Sequence, residues 1–494
     1  MADSLLRAVD IQKSFAGVHA LKGVSLDIAP GEIHCLAGEN GSGKSTLIKI
    51  ISGVYQADGG HIEFDGKTLS KITPIDAILL GIQVIYQDFS VFPNLTVMEN
   101  LALNSELSDK RKIVNWQRMR QIAEEAVAKI NFKVDLDALV GTLTVAQKQM
   151  VAICRALMFN ARLIIMDEPT TALTRKEVQA LFGVILQLKA QGISTLFVSH
   201  KLNEVFEISE RFTILRNGEL VVTGHTRDLD SAKFSYYMTG REFSDEQFRA
   251  ENLGEAPLIE VKNLGLSGAF EDISFQLRGG EILGITGLLD SGRSELSLAL
   301  FGIREADSGD ILIKGKKTRI NTPQAAIGAG IGLVPEDRLS EGLFLPRSIA
   351  DNLIIAEIDR LANRFKVFDH KKRAREVQRL VEEFAIATPN PQNACQTLSG
   401  GNQQRVVLAK WLACNLDVLV LNGPTVGVDI GSKHDIHRIL QGLAREGMGI
   451  IIISDDLPEV IRNCSRVIVL KSGRIVQEMD AAFATEQAIL SQMM

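Results

Sequence analysis

Apolar residues gather along this chain in short blocks of strand length, separated by stretches that read as helix. In the first half the blocks are 33–37 (IHCLA), 163–166 (LIIM) and 195–198 (TLFV). In the second half they are 282–285 (ILGI), 418–421 (VLVL) and 450–453 (IIII). Each is apolar nearly throughout rather than alternating, as expected of strands buried on both faces of a parallel sheet. A helix is expected over 45–51, directly after the first block. Strand–helix alternation predicts an α/β core with a mainly parallel sheet. Polar, helix-rich stretches near 105–142 and 356–397 predict a helical subdomain inserted in each half. The segment 242–257 (EFSDEQFRAENLGEAP) is polar and net acidic and reads as a linker. The expected division is a first domain over 5–243, a linker over 244–256 and a second domain over 257–494.

Composition narrows the class without naming it. At 494 residues the chain exceeds one ordinary core. Apolar content of 46% and charged content of 23% suit a soluble globular protein. The net charge of −6 argues against nucleic acid as the main partner. No apolar run approaches the roughly 18 residues of a membrane span, and no secretory signal is visible at the N-terminus. Cys35, Cys154, Cys395, Cys414 and Cys464 show no metal-ligand spacing and read as reduced, buried thiols.

The halves repeat one another. Gly38 and Gly287 open two glycine-rich loops 249 residues apart, and Gln87 and Glu336 share that spacing. Leu143 and Leu398, Asp167 and Asn422, and His200 and Asp455 each stand 255 residues apart. Five landmarks in register, with one shift of six residues, indicate a duplicated domain.

The first loop runs Gly38-Glu39-Asn40-Gly41-Ser42-Gly43-Lys44-Ser45-Thr46. Glycines let backbone N–H groups approach phosphates, and the helix that follows presents its positive end. Lys44 reaches the outer phosphates and the Ser45 hydroxyl can ligate Mg²⁺. Block 163–166 ends in Asp167-Glu168. A carboxylate at a strand end near such a loop suits a magnesium site, and the next one suits activation of water. Alone, the pair could equally be two solvated acids at a strand terminus.

Lys44, Gln87, Asp167-Glu168-Pro169-Thr170 and Ser199-His200, taken with Leu398-Ser399-Gly400-Gly401-Asn402-Gln403-Gln404, resemble the ATP-binding cassette superfamily over nearly the whole chain. The resemblance implies two tandem P-loop cassettes with ATP and Mg²⁺ as cofactors. It makes Glu168, His200 and Gln87 the catalytic set, and Ser45, Gln87 and Asp167 the magnesium side. Gln87 would also signal to a membrane partner. Phe15 would stack on adenine, although a lone Phe is more often core. Thr170 to Thr174 departs from the usual Asp-ended loop.

In that superfamily two cassettes meet head to tail, each ATP lying between one phosphate loop and the other cassette's signature. A signature needs glycines, because a side chain would obstruct the γ-phosphate. The second copy keeps Ser399, Gly400 and Gly401, whereas the first reads Leu143-Thr144-Val145-Ala146-Gln147. Conversely, the second copy has Arg293 for Lys, Asn422 for Asp, Gly423 for Glu and Asp455 for His. Arg is planar, bulkier and forked, so it is no equivalent of Lys. One expected site therefore combines first-copy Lys44, Ser45, Gln87, Asp167, Glu168 and His200 with second-copy Ser399, Gly400 and Gly401. The other is compromised nearly everywhere, and whether it holds nucleotide stays open. The sorting predicts one hydrolysis site per chain.

Two cassettes in one chain, Pro335-Glu336-Asp337-Arg338, Gly240-Arg241-Glu242 and Gly427-Val428-Asp429 are similar to the ATPase subunits of bacterial ribose/galactose-type sugar importers. That implies an integral membrane permease, a periplasmic solute-binding protein and a peripheral position on the cytoplasmic face of the inner membrane. The permease contact is expected near Gln87 and residues 88–100. Phe89, Val91, Phe92 and Leu95 would serve it unless they are helical core. Asn422-Gly423 departs from the importer pattern, where Asp-Glu is usual in both copies. A soluble twin-cassette ATPase acting on ribosomes or nucleic acid is the rival class. Such proteins usually keep two competent sites and a long charged linker helix, and neither is present here. A catalytically dead nucleotide sensor conflicts with the complete first set.

Overall fold

The computed structural model describes residues 4–493 except 16, 70, 87–90, 109–113, 172, 244–246, 252, 289 and 362–368. The chain divides into two compact units, Met1–Phe243 and Ser244–Met494.

In the first unit a six-stranded sheet runs Glu219–His225, Arg211–Arg216, Ile33–Ala37, Ser194–Val198, Leu163–Asp167, Ile82–Ile85. Every neighbouring pair is parallel except the first, an antiparallel hairpin at the edge. Ile33, Cys35, Leu36, Ile164, Ile165 and Phe197 are almost fully buried. Each such large apolar side chain contributes roughly 1.5–3 kcal/mol relative to exposure. A four-stranded antiparallel sheet, Val18–Ile28, Leu6–Phe15, Gly59–Phe64, Lys67–Leu69, packs over the helix Lys44–Ile51.

The second unit repeats both sheets strand for strand. Its six-stranded order is Arg474–Asp480, Arg466–Lys471, Ile282–Gly287, Gly449–Ile453, Val418–Asn422, Ile331–Val334. Its antiparallel sheet is Phe270–Arg278, Pro257–Leu266, Ser308–Ile313, Lys316–Lys317. The expected strands are all present within a residue or two.

The helical insertions begin earlier than their polar composition suggests. In the first unit helices Val97–Ser108, Trp116–Ala128 and Val145–Met158 pack on one another. Val97 and Leu101 give the first of them a buried apolar side that belongs to neither a strand nor a polar stretch. Asn100 anchors its start, since Oδ1 accepts from Phe92 N at 2.8 Å and Nδ2 donates back to Phe92 O at 3.0 Å. Asn352 does the same for Phe344 in the second unit.

Part of the acidic segment expected to be a linker packs against the second unit. Phe248 is buried in the second unit's core, its N–H donates to the Arg462 carbonyl at 2.9 Å, and Gln247 Nε2 donates to the Ile461 carbonyl at 2.8 Å. One aromatic side chain with a place in a core outweighs the polar composition around it.

Among the described residues no helix is long and apolar enough to cross a membrane. All five cysteines are unpaired, four of them buried, and burial raises each thiol's pKa.

Candidate functional site

The first glycine-rich loop joins the end of Ile33–Ala37 to the helix Lys44–Ile51. Gly43 precedes that helix at φ 105°, and a Cβ on it would lie 2.7 Å from Leu21 Cδ2 and 2.8 Å from the Ala20 carbonyl. Only glycine meets both conditions. Lys44 is buried, and its ammonium donates to the carbonyls of Gly38 at 2.6 Å and Glu39 at 2.9 Å. Burial lowers its pKa, while Glu168 and Asp167 pull the other way. Ser45 is exposed at the helix start, Gly41 and Asn40 are exposed beside it, and Thr46 is half-buried.

Asp167 ends the strand Leu163–Asp167, in register with Val198 of the neighbouring strand. Glu168 follows at φ +47°, a left-handed conformation that costs a non-glycine residue and recurs at functional turns. The turn brings Glu168 Oε1 to 3.2 Å from His200 Nδ1. That hydrogen bond holds the Glu168 carboxyl below its ordinary pKa, against burial. Burial, reinforced by the Glu168 charge, raises that of Asp167. Two adjacent carboxylates are thus driven apart, one favoured as an anion and one short of compensating positive charge.

A second layer holds this pair, and sequence reasoning missed it. The buried Glu204 accepts from Thr170 Oγ1 and from Ser199 Oγ, both at 2.6 Å. It therefore ties the turn carrying Glu168 to the turn carrying His200. Glu459 does the same with Thr425 at 2.7 Å and Ser454 at 2.5 Å. All three positions keep the 255-residue spacing, so extending the repeat register would have found them. The departure at Thr170 to Thr174 has a local account. Thr174 caps the helix Arg175–Ala190 with Glu177 as reciprocal partner, the role Asp429 plays for Ile430–Arg445.

Other expected residues divide. Gln87 and Phe89 lie outside the described residues. Phe15 is 39% exposed, with its ring edge-on to Tyr55 at 5.2 Å, so it is not core. Phe92 is exposed, and Val91 and Leu95 are half-buried, so none of the three is buried helical core.

In the second unit the corresponding loop carries a buried Arg293. Its Nη2 lies 3.6 Å from Asp455 Oδ2, and Nε and Nη1 have no hydrogen-bond partner among the described residues. Asn422 Nδ2 reaches Glu336 Oε2 only at 3.5 Å. Gly423 takes φ +59°, reproducing the Glu168 turn without a carboxylate.

The signatures differ in the opposite sense. In the first unit Thr144 accepts from Gln147 N at 3.2 Å while Gln147 Oε1 accepts from Thr144 N at 3.0 Å, closing a capping box on Val145–Met158. The helix Gly400–Leu412 has no such cap. Ser399 is exposed, and its hydroxyl accepts from Asn402 Nδ2 at 2.9 Å. A Cβ on Gly401 would run into the Ser432 side chain, and one on Gly400 would lie 3.0 Å from Gly427 O. The first signature engages two of its own N–H groups, those of Thr144 and Gln147, in its capping box, whereas the second has no side-chain cap and leaves its helix start open to an anion.

A strand–loop–helix phosphate cradle laid out twice, with an acidic strand end kept in the first copy and a glycine signature kept in the second, defines a nucleotide-hydrolysing cassette pair. The chain belongs to the ABC transporter family, whose model matches residues 21–171 and 270–426. It is 41% identical over 98% of both chains to the ribose import ATP-binding protein RbsA of Bacillus subtilis. It is also 41% identical to ribose import ATP-binding proteins of Rubrobacter xylanophilus and Clostridium perfringens, over 98% of this chain and 97% of each relative.

Proposed function

We propose that the chain is the ATPase subunit of an importer for a sugar or a related small polyhydroxylated solute. The observation that carries this reading is the division of intact parts: a complete nucleotide side in the first unit and an uncapped glycine signature in the second. The import assignment is supported by full-length likeness to ribose import ATP-binding proteins. One hydrolytic site per chain follows, with Ser399, Gly400 and Gly401 completing the site of Lys44, Asp167 and Glu168 in a head-to-tail arrangement of the cassettes.

The residues present fit ATP with Mg²⁺. Lys44 and the loop amides would hold the phosphates. Ser45 and Asp167 would hold the cation, whose charge would offset the burial and the Glu168 charge that together raise the Asp167 pKa. Mg²⁺ would neutralise phosphate charge. Glu168, kept ionised by His200, accepts a proton from the attacking water, and His200 orients it. The partners on this reading are an integral membrane permease and, through it, a periplasmic solute-binding protein. The chain would sit peripherally on the cytoplasmic face of the inner membrane.

Gentle detergent purification of the tagged chain from native membranes, followed by mass spectrometry, tests the reading. A co-purifying polytopic permease is expected. Ribosomal proteins or nucleic acid without a membrane partner would overturn it.

A further inference from the structure

After the edge strand Ile331–Val334 the second unit's chain passes through a π-helical turn, Arg338–Gly342. Asp337 caps it, its carboxylate accepting from Leu339 N at 2.9 Å and Ser340 Oγ at 2.6 Å. With Asp337 so engaged, the half-buried Arg338 guanidinium turns to backbone. Nη1 donates to Val426 O at 2.6 Å and Nη2 to Gly427 O at 3.1 Å, and Nε has no partner among the described residues. Nη2 also lies 2.9 Å from the point a Cβ on Gly400 would occupy. One rigid, planar fork therefore meets three segments: the loop 335–342, the loop 423–429 and the signature turn. The first unit has nothing of this kind in sequence. The repeat puts Phe89 at the corresponding position, and the signature it would serve has lost its glycines.

We propose that Arg338 is a positioning residue for ATP hydrolysis, holding Ser399, Gly400 and Gly401 against the Val426–Gly427 backbone and making their placement depend on the loop 335–342. The proposal rests on the reading that this signature completes the first unit's hydrolytic site. A lysine would keep the charge but not the fork, and a glutamine would reach one carbonyl at best. Neither would hold both carbonyls and the signature turn together.

The test compares Arg338→Gln, Arg338→Lys, Ser399→Ala and the Arg338→Gln/Ser399→Ala double variant, each as the full chain with its permease. Turnover, the KM for ATP, ATP affinity and thermal midpoint are measured. Expected is a fall of about tenfold in kcat for both Arg338 variants, with KM, affinity and melting unchanged. The double variant should be no slower than Ser399→Ala, because Arg338 acts through the signature. Normal turnover in Arg338→Gln, multiplying effects in the double variant, or kcat and affinity falling together with the melting midpoint would each overturn the proposal. Normal turnover in Ser399→Ala would overturn the composite-site reading as well, whereas a slow Ser399→Ala beside a normal Arg338→Gln would overturn this proposal alone.

Discussion

Lys44 and Arg293 hold the same place in two copies of one fold, and their surroundings show how duplication divided the work. Lys44 folds onto its own loop carbonyls with two carboxylates nearby, poised to exchange those carbonyls for phosphate. Arg293 is equally buried but faces one exposed carboxylate at 3.6 Å, with amide and glycine where the acids stood. At the signatures the ranking inverts. Thr144 closes on Gln147, and Ser399 leaves its helix start uncapped. Decay without direction would have damaged each copy at random. Here each copy keeps the half that the proposed site uses. A duplicated fold can thus stay intact in backbone while its chemistry is partitioned, because the parallel sheet is held by the apolar interiors of its strands, whereas the substitutions fall at strand ends and in the turns beyond them.

The largest effect that would break this comparison lies at Glu168. Glu168→Gln keeps the shape and removes the proton acceptor, so turnover should fall roughly 10²–10⁴-fold with ATP binding retained. Because His200 holds the Glu168 pKa below its ordinary value, the carboxylate stays ionised down through the usual glutamate range. The ratio of parent to variant rates should therefore be flat from about pH 8 to about pH 5, declining only below the ordinary carboxylate pKa. Steady-state ATPase assays across pH check both. A variant as fast as the parent would remove Glu168 from the chemistry.

Gly401→Ala comes next. Its Cβ would meet Ser432, which is itself fixed by Asp429 through Ser432 N at 2.8 Å and Ser432 Oγ at 3.0 Å. The helix start must move, and turnover should fall by about tenfold or more, since misplacement of a binding group by an ångström is costly. The reciprocal change Val145→Gly in the first signature should leave turnover alone, since the loop it would serve lacks a base. Equal sensitivity at both signatures would erase the asymmetry.

Much of this was legible beforehand. Fully apolar blocks such as 163–166 admit few readings, and the phosphate loop carries its own geometry in its glycines. What escaped were residues whose role lies in pairing across the sequence. Glu204 reads as one more surface acid on a helix, yet Thr170 and Ser199 enclose it. Phe248 sits in a polar acidic run and reads as part of it, although its ring is buried in the second unit's core. Arg338 reads as part of the motif Pro335-Glu336-Asp337-Arg338, but its carbonyl partners lie nearly 90 residues on, beyond local pattern.

The smallest predicted effect is also the sharpest. Arg293→Ala removes a guanidinium from the second loop, where two of its nitrogens, Nε and Nη1, are buried without partners among the described residues. Leaving donors unsatisfied is costly, so the parent residue is a stability burden that the variant relieves, offset by the cavity left behind. Stability should change little. Turnover should change less than about threefold, well under the 1.4 kcal/mol that a tenfold barrier change requires. Nucleotide stoichiometry is the finer readout. If the second loop holds nucleotide through Arg293, the variant loses one bound equivalent while the rate persists, and occupancy is separated from cleavage. A tenfold loss of turnover would instead make the second loop a partner in hydrolysis, and the division of labour between the copies would have to be redrawn around it.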